Sequence, residues 1–401
     1  MAAHRQLHTA FPPSPLYADV TRLLRRHVGA IRHTGIDRVS LEYGRWVHER
    51  GGDLCIKGIR GLGCLSRNAW SKFLLGARQP GHREKSRTSR GLFFLRALAP
   101  RRPLAAGSTL FVTTHSWLGH NAAWKWLAAR KCRTIVFIHD LIPIQFPEYS
   151  HPREKHRHMQ RMRNTVRHAA GVVVNSDCTA SALRSFARAQ GLPCPPILVN
   201  PLGHDLPQPD ETHLPRALRK PYFVVLGTIE PRKNHLLLLK LWREMAMRLG
   251  DRTPQLVVVG RRGWECEQVV DMLERCETIH PHLLELNNAS DELVAALIKE
   301  ARALLMPSFA EGFGMPVQEA LAWGTPVITT PLPAIREFAG DIPEYAEPLD
   351  GARWLELIKN YARTDSPQRD AQLKRLTVFR DTRWPDHFTK LEEFLTSLPT
   401  T

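Results

Sequence analysis

Two glutamates eight positions apart flank a glycine loop in the second half of the chain. Glu311 precedes Gly312 and Gly314, and Glu319 follows on a predicted helix. Glycine lets the backbone approach a ligand closely, and a helix N-terminus offers unpaired N–H groups and a favourable dipole to an anion. Each carboxylate can accept hydrogen bonds from hydroxyl groups. This pattern predicts a site for a phosphorylated, hydroxyl-rich molecule.

The elements around this loop are a short strand and a short helix. Residues 303–306 are typical of a buried strand, Pro316 suits the first turn of a helix, and Gly324 suits its C-terminal cap after Trp323. Most glutamate pairs of this kind are a solvated loop residue followed by a helix-surface residue. The glycines and the proline favour a binding site here.

A basic pair follows another predicted strand, residues 222–227, which ends in Gly227. Arg232 and Lys233 stand at the turn into the next helix, where an arginine fork and a lysine point charge can hold a diphosphate. A leaving diphosphate develops negative charge that such cations stabilise in a water-poor site. Adjacent Arg and Lys residues are mostly ordinary surface residues, so the position after a glycine-terminated strand carries the prediction.

The first half of the chain offers fewer candidates. His139 and Asp140 end the predicted strand 134–139. A single histidine at a strand end is more often structural than catalytic, although an imidazole with a neighbouring carboxylate can serve acid–base chemistry. Gly35, in the sequence Thr-Gly-Ile-Asp-Arg-Val of residues 34–39, would let a loop approach the phosphates or a second substrate. An ordinary turn glycine is the alternative.

Length and composition describe a globular protein of two domains. The chain has 401 residues, with 43% apolar and 24% charged residues, which suffices for two cores. Seven cysteines, an odd number without a Cys-x-x-Cys pair, fit a reducing compartment. We find no secretory leader and no apolar stretch long enough to span a membrane. These features predict a cytoplasmic protein.

The net charge of +17 is unevenly distributed. Residues 67–102 carry ten Lys or Arg against one Glu and contain apolar clusters, and residues 151–168 add six Lys or Arg and four His. Basic residues interleaved with apolar ones favour anionic lipid headgroups. No nucleic-acid-binding pattern accompanies the charge, so nucleic acid is not expected as a partner. A solvated, arginine-rich surface is the alternative to a membrane contact.

Strand-like runs alternate with helical stretches, which is typical of α/β domains with parallel sheets. We predict an N-terminal domain over 1–205, a linker over 206–220, a second domain over 221–384 and a final helix over 385–401. The sequence contains no Asp-x-Asp, G-x-G-x-x-G, P-loop or nucleophile-elbow motif. These absences argue against a metal-bridged diphosphate, a dinucleotide dehydrogenase, a P-loop NTPase and a serine hydrolase. The predicted strands of the two domains comprise residues 17–21, 110–113, 134–139 and 171–175 of the first, and 222–227, 255–260, 283–286, 303–306 and 326–330 of the second.

The segment 307–328 resembles the glutamate–seven residues–glutamate signature of retaining glycosyltransferases of family 4, the glycosyl transferases group 1, which have the GT-B architecture. The resemblance implies two Rossmann-like domains facing across a cleft, with the C-terminal helix crossing back to the first domain. It implies a nucleotide-sugar donor, with Glu311 at the sugar hydroxyls and Glu319 at the ribose. The family pattern further implies sugar and diphosphate contacts from the backbone of Gly312, Phe313, Gly314 and Met315, donor phosphates at Arg232 and Lys233, and His139 near the donor sugar, with Asp140 orienting the imidazole or assisting deprotonation.

Residues 34–39 and 229–235 look most like bacterial transferases that build O-antigen, capsule or exopolysaccharide chains. This resemblance implies a hexosyltransferase that needs no metal or other cofactor, with GDP-mannose as the favoured donor and dTDP-rhamnose or a UDP-sugar as alternatives. It implies a glycan acceptor, usually lipid-linked, and a location on the inner face of the plasma membrane. Other activities considered are a sugar-nucleotide epimerase, a soluble glucan or sucrose-type synthase, and a basic binding protein with a degenerate donor site.

Overall fold

The computed structural model describes residues 14–29, 34–58, 61–64, 102–205 and 207–399. The chain divides into two compact units. Unit 1 comprises Met1–Gly203 together with Arg383–Thr401, and unit 2 comprises His204–Thr382. Most of the basic segment 67–102 lies outside the described residues.

Unit 1 is built on a seven-stranded sheet in the order β3-β2-β1-β4-β5-β6-β7, parallel except for β3. The central strands are buried along their whole length, because helices cover both faces of such a sheet. The strands are β1 (Leu16–Asp19), β2 (Asp53–Gly58), β3 (Gly61–Cys64), β4 (Thr109–Val112), β5 (Arg133–Ile138), β6 (Gly171–Val174) and β7 (Ile197–Val199).

The helices of unit 1 connect these strands. Ser176 caps one of them by accepting a hydrogen bond from the Thr179 N–H. The described helices are α1 (Thr21–Val28), α2 (Gly35–Glu49), α3 (Asn121–Ala129), α4 (Ile142–Gln145), α5 (Glu154–His168), α6 (Asp177–Ala189) and, at the end of the chain, α14 (Trp384–Ser397).

The final helix α14 belongs to the core of unit 1, as the expected return to the first domain requires. His387 is buried and donates from Nδ1 to the Pro201 carbonyl at 2.8 Å, so its Nε2 accepts from the Tyr43 hydroxyl at 2.9 Å. Phe388 stacks on Trp46 with ring centroids 5.1 Å apart. A Cβ on Gly203 would lie 2.5 Å from the Trp384 nitrogen, so only glycine lets the helix approach this closely.

Unit 2 contains a six-stranded parallel sheet in the order β10-β9-β8-β11-β12-β13. One apolar cluster centres on Trp242 and Trp354, and a second cluster includes Tyr222 and Val317. The strands are β8 (Tyr222–Leu226), β9 (Gln255–Val259), β10 (Leu283–Leu286), β11 (Leu304–Met306), β12 (Val327–Thr329) and β13 (Glu344–Tyr345). The helices are α7 (His235–Leu249), α8 (Glu267–Arg275), α9 (Asp291–Lys299), α10 (Met315–Ala322), α11 (Pro333–Ala339), α12 (Gly351–Ala362) and α13 (Pro367–Leu376).

The predicted α/β class with parallel sheets is confirmed. Residues 206–220, predicted as a linker, instead belong to unit 2. Leu214 and Leu218 pack against its core, and the Arg219 N–H donates to the Gln255 side chain at 2.7 Å. Prolines and mixed charge are typical of irregular surface segments. Such a pattern does not distinguish a segment that packs on a domain from a linker between domains. No helix among the described residues is long and apolar enough to cross a membrane.

Candidate active site

Two loops of unit 2 leave neighbouring strands at the same edge of the sheet. β8 and β11 are adjacent and parallel, so the loops after their carboxyl ends lie side by side. The first loop forms a short 3-10 helix, Pro231–Lys233, before α7, and the second carries Glu311 before α10. This topology brings together basic and acidic residues about 80 positions apart in the sequence, as expected for ligand sites of open α/β sheets.

Glu311 holds both cations of the predicted diphosphate site. Lys233 Nζ donates to Glu311 Oε1 at 2.6 Å, and Arg232 Nη1 donates to Glu311 Oε2 at 2.8 Å. Arg232 Nη2 also binds Glu230 Oε1 at 2.6 Å. The Glu311 side chain is 8% exposed and that of Lys233 is 12% exposed. The structure therefore joins the predicted sugar-binding carboxylate and the predicted phosphate-binding cations in one ion-pair network.

The network sets the ionisation of its members. Burial alone would raise the pKa of Glu311, but the charges of Arg232 and Lys233 lower it to about 2. Burial lowers the pKa of Lys233, and the attraction of Glu311 opposes that shift. Glu311 is therefore ionised at neutral pH, and a buried carboxylate stays charged because two cations compensate it.

Main-chain and amide hydrogen bonds fasten the two loops together. The Phe309 N–H donates to the Arg232 carbonyl at 2.8 Å. Asn234 adopts a left-handed conformation with φ 56°, and its Nδ2 donates to the carbonyls of Pro307 at 3.2 Å and Pro348 at 2.9 Å. Asparagine tolerates this conformation better than most residues. The loops are thus preorganised around the network.

Gly227 ends β8 beside this network. A Cβ placed on Gly227 would lie 3.3 Å from Lys233 Cε, and one on Gly260 would lie only 1.8 Å from the Gly227 carbonyl oxygen. The loops after β8 and β9 therefore touch through bare backbone. The sequence also predicts Gly227 as a donor-binding residue, and this stays a prediction, because its close neighbours in the structure are protein groups.

Helix α10 begins directly after the glycine loop, with Gly314 at its N-cap at φ 102°. Phe313 is buried and stacks on Phe338 with centroids 4.9 Å apart, so its side chain serves the core and only its backbone can serve a ligand. Gly312 and Met315 flank it on the same turn. Glu319 lies on the second turn of α10, is half-buried, and engages other protein groups.

His139 and Asp140 follow β5 at the carboxyl edge of the sheet of unit 1. The buried His139 ring donates from Nε2 to the Thr113 carbonyl at 2.8 Å, and burial lowers its pKa. Asp140 Oδ1 accepts the Ile142 N–H at 3.0 Å. The imidazole is thus oriented by a backbone carbonyl, whereas the predicted orienting carboxylate caps the following turn. The neutral ring keeps Nδ1 as its acceptor atom.

Two further histidines, missed in the sequence, form a cluster with His139 in which His115 contacts the other two rings. The ring of His115 lies 5.7 Å from that of His139 and 5.0 Å from that of His158, centroid to centroid. His158 Nε2 donates to the Asp140 carbonyl at 3.2 Å. Burial lowers the pKa of all three histidines, and for His115 the other two imidazoles lower it further. The sequence could have indicated His115, because this histidine follows the carboxyl end of β4.

Gly35 is the first residue of α2 and follows the N-cap Thr34. The decisive residue of this element is Asp37, which the sequence prediction did not select. Its buried carboxylate accepts the Thr34 N–H at 2.7 Å and pairs with Arg22 Nε and Arg26 Nε, each at 2.9 Å. Burial alone would raise the pKa of Asp37. The charge of Arg22 and the hydrogen bonds from Thr34 outweigh that effect, so the pKa is lowered.

A basic, partly apolar surface accompanies the start of α5. Phe146, in the preceding loop, is 38% exposed. Exposed basic residues follow it along the loop and the first turn of the helix, whereas the opposite face of α5 is buried through Met162. These exposed basic residues are Arg153, Lys155, His156 and Arg157.

A family model and curated relatives match this part of the chain. The family model described as glycosyl transferases group 1 matches residues 210–342, which include Lys233, Glu311 and Glu319. The O-antigen chain mannosyltransferase B of Escherichia coli is 29% identical over 275 residues, covering 66% of this chain and 70% of that protein. The serotype-specific mannosyltransferase of Escherichia coli is 29% identical over 250 residues, covering 56% of this chain and only 30% of its own length.

A solved structure shows the same fold. The Anabaena HepE protein in complex with UDP-glucose superposes with a TM-score of 0.66 at 13% identity, covering 96% of this chain and all of that one. This similarity agrees with the arrangement of the chain described above, in which two α/β units each carry a parallel sheet. That arrangement is the GT-B architecture. Residues 210–342 therefore match the glycosyl transferases group 1 family, and the chain is a glycosyltransferase.

Proposed function

We propose that this protein is a retaining hexosyltransferase that uses a nucleoside-diphosphate sugar, with GDP-mannose as the favoured donor. The network of Glu311, Lys233 and Arg232 beside the N-terminus of α10 carries the proposal. In this proposal the two cations stabilise the leaving diphosphate, and the ionised carboxylate accepts hydrogen bonds from sugar hydroxyls.

The matched relatives support the choice of sugar and pathway. Two of them are mannosyltransferases, one of them named for O-antigen chains, so surface-polysaccharide synthesis is the proposed context. The solved relative holds UDP-glucose, which keeps a UDP-sugar among the candidate donors, with dTDP-rhamnose as a further one. A glycan, usually lipid-linked, is the proposed acceptor.

Each predicted residue has a proposed role in this reaction. Lys233 and Arg232 place positive charge at the diphosphate, and Glu311 accepts hydrogen bonds from the sugar. Glu319 accepts from the ribose, and backbone amides from Gly312 to Met315 face the phosphates and sugar. His139 is proposed to contact the donor sugar through Nδ1. No metal is required in this scheme, because the two cations and the helix dipole supply the positive charge.

A nucleotide screen followed by a transfer assay tests the function. We expect GDP to raise the melting temperature more than UDP, dTDP or ADP, since a ligand that binds only the folded state stabilises it. With GDP-mannose and a mannose-terminated acceptor we expect a glycan product with a retained anomeric configuration. Release of free mannose and GDP that is unaffected by any acceptor would favour the epimerase-like alternative. Absence of both nucleotide stabilisation and donor consumption would contradict the proposal.

We also propose that the basic surface near Phe146 contacts an anionic membrane at its cytoplasmic face. Arg153, Lys155 and Arg157 attract acidic headgroups at roughly 1 kcal/mol each, and Phe146 adds apolar contact. We expect flotation with phosphatidylglycerol vesicles at low salt, weaker flotation at high salt, and weaker flotation for K155Q/R157Q. Binding that is equal to phosphatidylcholine vesicles, or unchanged in the variant, would contradict this contact.

A further inference from the structure

Two cations of unit 1 lie at the carboxyl edge of its sheet without a counter-charge. Arg25 is exposed on α1, which begins directly after β1, and Lys57 is half-buried near the end of the neighbouring strand β2. Among the residues that the structure describes, neither side chain forms an ion pair or a hydrogen bond. Ligands of α/β sheets bind at this edge, and uncompensated positive charge there attracts an anion.

A hydrogen-bonded scaffold holds the segments that carry these cations. The Lys57 N–H donates to Thr21 Oγ1 at 2.8 Å, which ties the end of β2 to the first residue of α1. The Asp19 carboxylate, at the end of β1, accepts from the Thr21 N–H at 3.1 Å and from Trp117 Nε1 at 2.7 Å. The loop after β4, which contains Trp117, is thereby fastened to the same edge of the sheet.

The buried Asp19 carboxylate does not serve as a counter-charge for the two cations. Its side chain is 1% exposed, and both of its oxygens are occupied by Thr21 and Trp117. Burial raises the pKa of Asp19, and the charge of Arg25 opposes that shift. Arg25 therefore lies close enough to act on Asp19 but forms no ion pair with it.

His120 adds a third polar group from the loop after β4. It is exposed at the N-cap of α3. Desolvation lowers the pKa of His120, and the positive charges of Lys57, Arg25 and Arg161 lower it further. These groups therefore surround one region of the surface. The neutral imidazole still offers one N–H donor there.

Helix α5 supports this loop from its other side. Asn164 Nδ2 donates to the Leu118 carbonyl at 2.9 Å, and a Cβ on Gly119 would lie 3.7 Å from Arg161 Cγ. Arg161 itself pairs with Glu154, so its charge is compensated within α5. The loop is thus positioned before any ligand binds, and such preorganisation lowers the cost of binding.

We propose that Arg25, Lys57 and His120 bind a phosphate or diphosphate group carried by the acceptor. This inference rests on the proposed function and names the anionic part of the acceptor that unit 1 recognises. A phosphate presents several acceptor oxygens, which fits two cationic donors and one neutral N–H donor on three separate segments. A neutral glycan would leave both cations without a partner.

Calorimetry in the presence of saturating GDP isolates this site, because GDP occupies the proposed donor site. The probes are a mannoside with a short alkyl diphosphate aglycone, the same mannoside with a plain alkyl aglycone, and inorganic pyrophosphate. We expect the wild type to bind the diphosphate mannoside about 10-fold or more tighter than either other probe, since charge-assisted hydrogen bonds are the stronger ones. In R25Q/K57Q this preference should fall to about twofold or less.

R184Q/R188Q is the matched control, because it removes two exposed charges from α6 of the same unit. It should keep the preference for the diphosphate mannoside. Transfer from GDP-mannose gives a second readout. The ratio of KM for the plain mannoside to KM for the diphosphate mannoside should fall in R25Q/K57Q and stay high in the control. Urea midpoints check that each variant is folded.

Equal affinity of the wild type for the two mannosides would overturn the inference, and so would a preference that persists in R25Q/K57Q. Pyrophosphate binding as tight as that of the diphosphate mannoside would indicate a site for free anions instead. An equal loss in R184Q/R188Q would indicate general attraction by net charge, and would also overturn the inference. Each result can occur in a protein that transfers hexose to the plain mannoside, so the proposed function would stand. A wild type that neither binds GDP nor consumes a donor would contradict the proposed function itself.

Discussion

Glu311→Gln is expected to lower hexose transfer by about 10²–10³-fold while leaving GDP affinity unchanged or higher. The substitution affects transfer and GDP affinity differently because Glu311 has two proposed functions. Glu311 forms ion pairs with Lys233 and Arg232, so it is proposed to compete with a diphosphate for the lysine. In turnover it is proposed to hold the sugar, and a neutral amide accepts weaker hydrogen bonds than a carboxylate.

The measurement pairs GDP calorimetry with initial rates on GDP-mannose. Glu337→Gln is the matched control, since this glutamate is exposed on α11 of the same unit. It should change neither quantity. A parallel loss of GDP affinity and turnover in Glu311→Gln would mean that Glu311 supports the diphosphate itself or the loop fold, and would contradict the assigned role.

Asp37→Ala is expected to cost about 2–4 kcal/mol of unfolding free energy in unit 1. The substitution removes the N-cap acceptor of α2 and leaves Arg22 and Arg26 without their shared carboxylate. A buried pair that loses one partner costs about 3–5 kcal/mol. We place the value lower, because the Arg22 side chain is 33% exposed and water screens part of the charge.

Urea unfolding of the full chain, followed by tryptophan fluorescence, measures this effect. Asp37→Asn is the graded control, since the amide oxygen still caps α2 but carries no charge, and it should lose less. The folded pKa of Asp37 lies below its ordinary 3.8, so its contribution is present above that value and is lost as the pH falls through the folded pKa. An Asp37→Ala midpoint equal to wild type at neutral pH would contradict the buried-pair account.

Apolar runs were enough to place the main strands. The strands observed as β4, β5, β6, β8 and β9 were all predicted, because parallel strands covered on both faces read as continuous apolar sequence. The strand β13 (Glu344–Tyr345) was missed, since two half-buried residues at a sheet edge have no such pattern. The antiparallel pair β2 and β3 was missed as well, because glycines interrupt it.

At the site, too, local sequence patterns predicted individual residues but not the contacts between residues that are distant in the sequence. Glu311, Lys233 and Arg232 were each selected from a local pattern of strand end, glycine and helix start. Their mutual contacts were not, and neither was Glu230, because a glutamate before a proline has no distinctive pattern. The expected pairing of Asp140 with the His139 ring differs from the structure, since the Thr113 carbonyl accepts the hydrogen bond of that ring and the Asp140 carboxylate accepts the Ile142 N–H.

The sequence alone determined the α/β class and the types of residue at the candidate site, because these follow from periodicity and short-range spacing. The tertiary structure decided which charges neutralise one another. Glu311 and Lys233 are 78 positions apart, and only the adjacency of β8 and β11 brings them within hydrogen-bonding distance. The ionisation of Glu311 depends on burial and on cationic partners from another loop, which no local pattern encodes.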